Sequence, residues 1–99
     1  MYAVELFHTL RQKEILGTLP QVIEDLVIDS RSVQPGSVFI CIKGYTVDGH
    51  DYAQQAVDSG ATVIVTERKL ELSEEVCQVI VQSTNRTLGI LAARFYDYP

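Results

Sequence analysis

Residues 26–52, LVIDSRSVQPGSVFICIKGYTVDGHDY, contain two apolar runs, and a polar loop follows each of them. The runs at 26–28 and 38–42 are rich in β-branched residues and have the length of buried strands. The loops at 29–31 and 44–52 therefore place polar groups directly after strands. Because an open α/β sheet binds its ligands in a crevice outside the strand ends, we predict that function lies in these two loops.

The N-terminal segment has the spacing of a helix. Val4, Phe7 and Leu10 recur at intervals of three residues, and charged residues occupy the positions around them. This pattern predicts an amphipathic helix over residues 4–16 that ends near Gly17. One or two extended runs are expected between this helix and the first polar loop.

Two more helices and two more strands are predicted after the second loop. Asp51 is expected to cap a helix that ends at Gly60, in the left-handed conformation common at helix C-termini. Apolar runs at 61–65 and 76–81 predict buried strands, and the Ser-Thr pair at 83–84 is expected to open a last helix. This order predicts a small single α/β domain with a mostly parallel or mixed β-sheet flanked by helices.

Length and charge limit the possible partners. A chain of 99 residues suits one domain with a modest core. The net charge of −5 comes from 13 acidic and 8 basic residues without a Lys/Arg cluster, so a nucleic-acid-binding surface is not expected. The longest apolar runs have the length of strands, and Met1 precedes no basic region with a long apolar core, so neither export nor membrane insertion is expected.

The two cysteines indicate a reducing compartment. Cys41 lies inside one apolar run and Cys77 lies in another, far from each other in sequence. Buried free thiols are therefore expected, rather than a disulfide or a metal site with closely spaced ligands. A cytoplasmic protein is the resulting prediction.

The order of the motifs resembles the N-terminal domain of the Mur ligase family. The similarity covers about residues 25–99 and, within the family, is greatest to the UDP-N-acetylmuramoyl-tripeptide synthetases. The ligases that add D-alanyl-D-alanine are the close alternative. The motifs that carry the resemblance are Asp29-Ser30-Arg31, Pro35-Gly36, Phe39, GYTVDGHD at 44–51, Ser59-Gly60-Ala61 and RFYDYP at 94–99.

The resemblance implies an ATP-dependent, amide-forming ligase of peptidoglycan biosynthesis. Such an enzyme adds a diamino acid, meso-diaminopimelate or L-lysine, to UDP-N-acetylmuramoyl-L-alanyl-D-glutamate, and it uses ATP and magnesium. Its first domain holds the uridine diphosphate end of this substrate, its central domain binds ATP, and its third domain brings the amino acid. Residues 1–99 would form the first domain alone, with the substrate and the central domain of the same chain as partners. A monomer is expected.

Catalysis by these residues alone is not expected. The sequence contains no G-x-x-x-x-G-K-[ST] phosphate-binding loop and nothing that resembles the family's magnesium ligands. We therefore predict no catalytic residue, no metal ligand and no cofactor within residues 1–99, although ATP and magnesium would act in the complete enzyme.

The resemblance also implies the residues that touch the substrate. A serine in the first loop would contact uracil and ribose, and a hydroxyl suits a uracil edge because it both donates and accepts hydrogen bonds. Three residues after the glycine of the second loop would add contacts, mainly through the main chain. At the matching positions this sequence has Ser30 with the backbone of Ile28 in the first loop, and Tyr45, Thr46 and Val47 in the second.

Several residues also have a purely structural interpretation. Asp29 and Arg31 are expected to pair and to brace the loop that carries Ser30. The sequence Asp-Gly-His-Asp at 48–51 is interpreted as a turn and a helix cap, with His50 in a surface or supporting hydrogen bond, rather than as a metal or acid–base site. At the level of the domain, a noncatalytic interaction module with the same fold is the alternative. A phosphoacceptor domain that uses Asp29 is disfavoured, because no adjacent acidic pair accompanies this residue.

Overall fold

Five short strands form one mixed sheet in the computed structural model, which describes residues 1–96. The strand order is β1-β5-β4-β3-β2; the strands β2 to β5 run parallel, and β1 pairs antiparallel to β5. The predicted α/β domain with a mixed sheet is therefore confirmed. The strand bounds are β1 Glu14–Leu16, β2 Leu26–Val27, β3 Val38–Ile40, β4 Val63–Thr66 and β5 Cys77–Ile80.

Helices cover both faces of this sheet. The helices are α1 Ala3–Phe7, α2 Ala53–Asp58 and α3 Thr84–Phe95. Side chains of α1 and α3 join one core cluster with alternate residues of the strands, and α2 packs against the other face through Ala53 and Ala56. Since both faces are covered, the central strands β3 and β4 are buried at every position, which explains why they read as unbroken apolar runs.

The first helix is much shorter than the sequence predicted. Helix α1 ends at Phe7, and residues 14–16 form the edge strand β1 instead of a last helical turn. The antiparallel pairing of β1 satisfies the backbone of the open edge of β5, where Ile15 lies opposite Val79. Tertiary pairing therefore overrides the weak helical signal of this segment.

The buried face of α1 also differs from the prediction. Its buried residues are Ala3, Leu6 and Phe7, and Leu10 continues the same side after the helix ends. Val4, which was predicted on that face, is 66% exposed. The correct face follows the spacing i, i+3, i+4 and i+7 from Ala3 rather than intervals of three from Val4.

The predicted cap at Asp51 is wrong. A 3-10 turn at Gly49–Tyr52 precedes α2, and Asp48 caps this turn by accepting a hydrogen bond from the His50 N–H. The cap of α3 at Ser83 is confirmed, since its hydroxyl accepts from the backbone N–H of Arg86 at 3.2 Å. Gly60 has a φ of +114°, so the left-handed residue after α2 is confirmed as well.

The parallel strands bring the two polar loops to one edge of the sheet. The loops that follow β2 and β3 both lie at the carboxyl ends of these neighbouring strands.

Cys41 and Cys77 are buried free thiols, as predicted. Within residues 1–96, no helix is both long enough and apolar enough to cross a bilayer. The last three residues of the RFYDYP motif, 97–99, lie outside the described residues.

Candidate functional site

A cleft of about 630 Å³ opens between the two loops at the carboxyl ends of β2 and β3. The walls are mostly apolar and the rim carries charged and polar groups, an arrangement common in sites for small ligands. Its position agrees with the rule that open parallel sheets bind ligands outside the strand ends. The lining residues are Ile28, Asp29, Ser30, Arg31, Phe39, Ile42, Gly44, Val47, Gly49, Tyr52 and Gln55.

Ser30 carries a hydroxyl without a hydrogen-bond partner among residues 1–96. It lies at the start of a 3-10 turn, Ser30–Ser32, and is only 7% exposed. Among residues 1–96, no group forms a hydrogen bond with this hydroxyl. A nearly buried hydroxyl that faces a cleft can both donate to and accept from a ligand.

Asp29 and Arg31 form the predicted ion pair on either side of Ser30. The guanidinium donates from Nε to Oδ1 at 3.0 Å and from Nη2 to Oδ2 at 2.8 Å, and the backbone N–H of Arg31 donates to Oδ1 at 2.9 Å. The side-chain hydrogen bond from Arg31, with its backbone N–H second, lowers the pKa of Asp29 from 3.8 to about 2. These three bonds hold the turn that carries Ser30.

The second loop folds into a tight turn. The N–H of Gly44 donates to the carbonyl oxygen of Val47 at 2.7 Å. The backbones of Lys43 and Asp48 lie opposite each other as a single antiparallel β-bridge. Val47 lines the cleft, whereas Tyr45 is fully exposed and neither Tyr45 nor Thr46 lines it. The backbone N–H groups of residues 45–47 form no hydrogen bond within residues 1–96. They are therefore free to meet a ligand.

A close backbone contact joins the second loop to the segment that follows β3. The N–H of Gly49 donates to the carbonyl oxygen of Ile42 at 2.8 Å. A Cβ atom on residue 49 would lie 2.6 Å from the backbone nitrogen of Ile42, closer than any side chain permits. Only glycine allows the loop to fold back onto the end of β3 in this way.

One wall of the cleft, formed by Tyr52 and Gln55, was not predicted from the sequence. Tyr52 and Gln55 line it from the second 3-10 turn and from α2. Tyr52 is 41% exposed. The spacing of three residues between Tyr52 and Gln55, which puts both on one helical face beside the second loop, is the signal that could have identified this wall.

The environment of Cys41 makes it an unsuitable nucleophile. This residue follows β3 and is fully buried. Burial, with the nearby negative charge of Asp48 second, raises the pKa of its thiol to about 12. Within the part of the chain that the structure describes, no three His, Cys, Asp or Glu side chains come together as metal ligands.

A second cavity, of about 420 Å³, lies elsewhere on the domain, beside the turn at Gly17. Its lining includes Leu16, Leu70, Leu72 and Gln78. None of the substrate-contact residues predicted from the sequence lines this cavity. The cleft at the strand ends is therefore the candidate site.

The family model and the related sequences that match this chain all belong to the Mur ligases. The family model described as "Mur ligase family, catalytic domain" matches residues 22–96. The UDP-N-acetylmuramoyl-L-alanyl-D-glutamate--L-lysine ligase of Staphylococcus haemolyticus is 44% identical over 99 residues, which is 100% of this chain and 20% of that protein. The UDP-N-acetylmuramyl-tripeptide synthetase 2 of Oceanobacillus iheyensis is 43% identical over 100 residues, with the same two coverages. The chain thus spans about one fifth of the length of these relatives.

Solved structures agree with the fold. MurF from Acinetobacter baumannii superposes with a TM-score of 0.81 at 31% identity, over 93% of this chain and 20% of that chain. MurF ligase from Thermotoga maritima in complex with ADP gives a TM-score of 0.63 at 37% identity, over 72% of this chain and 16% of that one. Both similarities cover the greater part of the α/β domain described here.

Proposed function

The chain belongs to the Mur ligase family, and on that premise we propose that it is the N-terminal domain that holds the uridine diphosphate end of a nucleotide-linked peptidoglycan precursor. The observation that carries the proposal is the cleft at the carboxyl ends of β2 and β3, which gathers residues of both predicted contact loops around one space. A uracil ring needs a flat apolar surface and a few polar partners at its edge. The cleft has mostly apolar walls together with the polar residues Asp29, Ser30 and Arg31.

The polar partners would come from both loops. We assign the Ser30 hydroxyl and the backbone of Ile28 to the uracil and ribose, because both residues line the cleft and this hydroxyl has no hydrogen-bond partner within residues 1–96. The backbone N–H groups of Tyr45, Thr46 and Val47 would contribute from the second loop. Of these three residues only Val47 lines the cleft, so Tyr45 and Thr46 would meet a ligand that extends beyond its lining.

Apolar contacts would hold the faces of the base. The side chains of Ile28, Val47 and Tyr52 line the cleft and are each about half exposed, so they have surface left to bury against a ligand. Asp29 and Arg31 would support the site indirectly, because their pairing fixes the backbone on both sides of Ser30.

For the complete enzyme we propose an ATP-dependent ligase of the tripeptide-synthetase type. It would add L-lysine or meso-diaminopimelate to UDP-N-acetylmuramoyl-L-alanyl-D-glutamate, in the cytoplasm and as a monomer. The relatives at 44% and 43% identity carry such names, whereas the MurF structures are 31% and 37% identical. Those structures favour the D-alanyl-D-alanine-adding ligase as the second candidate.

Catalysis would need the rest of such an enzyme. ATP and magnesium would bind to the central domain of the same chain, and the sequence of 99 residues contains no phosphate-binding loop of the G-x-x-x-x-G-K-[ST] type. The 99-residue chain alone is therefore expected to bind the nucleotide without ligase activity.

A titration followed by NMR tests the binding role. The chain is titrated with UDP-N-acetylmuramoyl-L-alanyl-D-glutamate and with UDP, while ADP and GDP serve as controls. We expect saturable amide shifts at residues 28–30 and 44–47 that are selective for uridine. No shift up to millimolar ligand, or equal shifts with ADP, would contradict the proposal and favour a noncatalytic interaction module.

A further inference from the structure

The second loop of the cleft contains a buried imidazole whose two ring nitrogens both form hydrogen bonds. The side chain of His50 is 1% exposed. Its Nδ1 lies 2.6 Å from Oδ1 of Asp48, and its Nε2 accepts from the backbone N–H of Glu67 at 3.1 Å. We propose that His50 is a positioning residue that fixes this loop to the end of strand β4.

The hydrogen bonds determine the protonation of the ring. A backbone N–H can only donate, so Nε2 must offer a lone pair to Glu67. The proton of the neutral ring then sits on Nδ1 and is donated to the carboxylate of Asp48. The same carboxylate oxygen accepts from the backbone N–H of His50 at 3.0 Å.

The contact continues across the next strand to helix α3. Glu67 follows β4, and its carboxylate accepts from the backbone N–H of Thr84 at 2.9 Å and from the Thr84 hydroxyl at 3.1 Å. One row of hydrogen bonds therefore joins the ends of β3 and β4 to the start of α3. A carboxylate at a helix N-terminus also interacts favourably with the helix dipole.

This row controls the shape of the cleft. Gly44, Val47 and Gly49 line the cleft and lie at most six residues before His50. They are held from one side by the Gly49 contact with Ile42 and from the other by the imidazole. Without His50, the loop would keep the first anchor and lose the second. The consequence for ligand binding rests on the proposed function.

Two substitutions separate positioning from simple packing. In His50→Gln the side-chain carbonyl can reach the position of Nε2 and accept from Glu67. In His50→Asn the amide can still donate to Asp48, but the side chain is too short to reach Glu67. Both variants replace an aromatic ring by an amide, so a role in packing alone predicts similar behaviour for the two.

The experiment measures ligand affinity and amide hydrogen exchange on the 99-residue chain. We expect His50→Asn to bind UDP about tenfold more weakly than the wild type and His50→Gln to stay within about threefold of it. In the absence of ligand, the Gly44 and Gly49 amides should exchange faster in His50→Asn, while amides of β3 and β4 should not. Equal behaviour of the two variants, or unchanged loop exchange in both, would overturn the proposal.

The ring itself gives a readout that needs no mutation. Long-range proton–nitrogen correlations of the wild-type chain should show His50 protonated at Nδ1 and bare at Nε2 near pH 7. The opposite tautomer would overturn the proposal even if both variants failed to fold. If the wild type does not bind UDP, the proposed function fails, while the exchange and tautomer measurements still decide whether His50 positions the loop.

Discussion

At the scale of single residues, the Ser30 hydroxyl is expected to contribute to ligand binding and little to the stability of the fold. It has no internal hydrogen-bond partner among residues 1–96, so Ser30→Ala should change the free energy of unfolding by no more than about 0.5 kcal/mol. The same change should weaken UDP binding about tenfold, because one hydrogen bond to the ligand is lost. Chemical denaturation and the ligand titration measure the two effects. A large loss of stability with unchanged affinity would mean that Ser30 is structural.

The pair of Asp29 and Arg31 predicts a pH dependence. Its hydrogen bonds lower the pKa of Asp29 in the folded state from 3.8 to about 2. The stabilisation from this carboxylate is therefore fully present above pH 3.8 and is lost as the pH falls toward 2. Carbon-detected NMR titration of the Asp29 carboxyl should give a midpoint near this low value.

A substitution identifies the cause of that low midpoint. Arg31→Ala removes the side-chain donors and should raise the pKa of Asp29 toward its ordinary value, because only the backbone N–H remains as a partner. Arg86→Ala, which removes a positive charge on α3 that makes no contact with Asp29, is the matched control. Equal midpoints in the wild type and in Arg31→Ala would contradict the assignment.

The buried thiols should be unreactive in the native state. Burial raises the pKa of Cys41 to about 12 and also raises the pKa of Cys77, so little thiolate forms at neutral pH. Both should react with a thiol reagent roughly a hundredfold or more slowly in the native chain than in denaturant. Fast reaction of one thiol in the native chain would show that its strand is not packed as described.

At the scale of elements, two glycines in different settings predict opposite effects. Gly60 follows α2 with a φ of +114°, and a Cβ there would lie 2.8 Å from Cα of Pro35. Gly60→Ala should therefore destabilise the fold by about 2 kcal/mol or more. Gly89 lies inside α3 with nothing within 4 Å of a Cβ, so Gly89→Ala should stabilise the fold by roughly 0.5 to 1 kcal/mol.

Chemical denaturation of both variants tests this contrast. Both variants replace glycine by alanine, so any difference in their free energies of unfolding comes from the backbone position and not from the residue type. A stabilised Gly60→Ala would mean that the turn after α2 differs from the structure, and a strongly destabilised Gly89→Ala would mean that α3 packs differently.

The elements with buried apolar runs were predictable, and the edge of the sheet was not. Strands β3, β4 and β5 are mostly apolar, with Thr66 and Gln78 as the polar exceptions, because both faces of the sheet are covered, and that pattern is visible in sequence. Strand β1 has only three residues and is stabilised by its antiparallel pairing with β5. The sequence did not reveal this strand, because pairing between distant segments leaves no periodic signal.

At the scale of the whole molecule, the location of the site was predictable from the parallel topology. Loops after neighbouring parallel strands must meet at one edge, and the cleft lies there. The direction of each side chain was not predictable. Tyr45, in the tight turn at 44–47, is fully exposed and does not line the cleft, whereas Tyr52 lines it from a 3-10 turn that the sequence pattern did not reveal.

The family was predictable because its motifs recur in a fixed order along the chain. The resemblance to the Mur ligase N-terminal domain is confirmed by the match over residues 22–96 and by the superposition on MurF from Acinetobacter baumannii at a TM-score of 0.81. The substrate contacts themselves stay a prediction, since they depend on the ligand as much as on the fold.

The most direct test of the central claim is to observe where uracil lies in the UDP complex of this chain. Intermolecular NOEs from the uracil ring protons report the side chains within a few ångströms of the base. We predict NOEs to the methyl groups of Ile28 and Val47 and to the ring of Tyr52, which line the cleft. NOEs to Leu70 and Leu72, which line the second cavity, or none at ligand saturation, would contradict the assignment of this cleft as the uridine site.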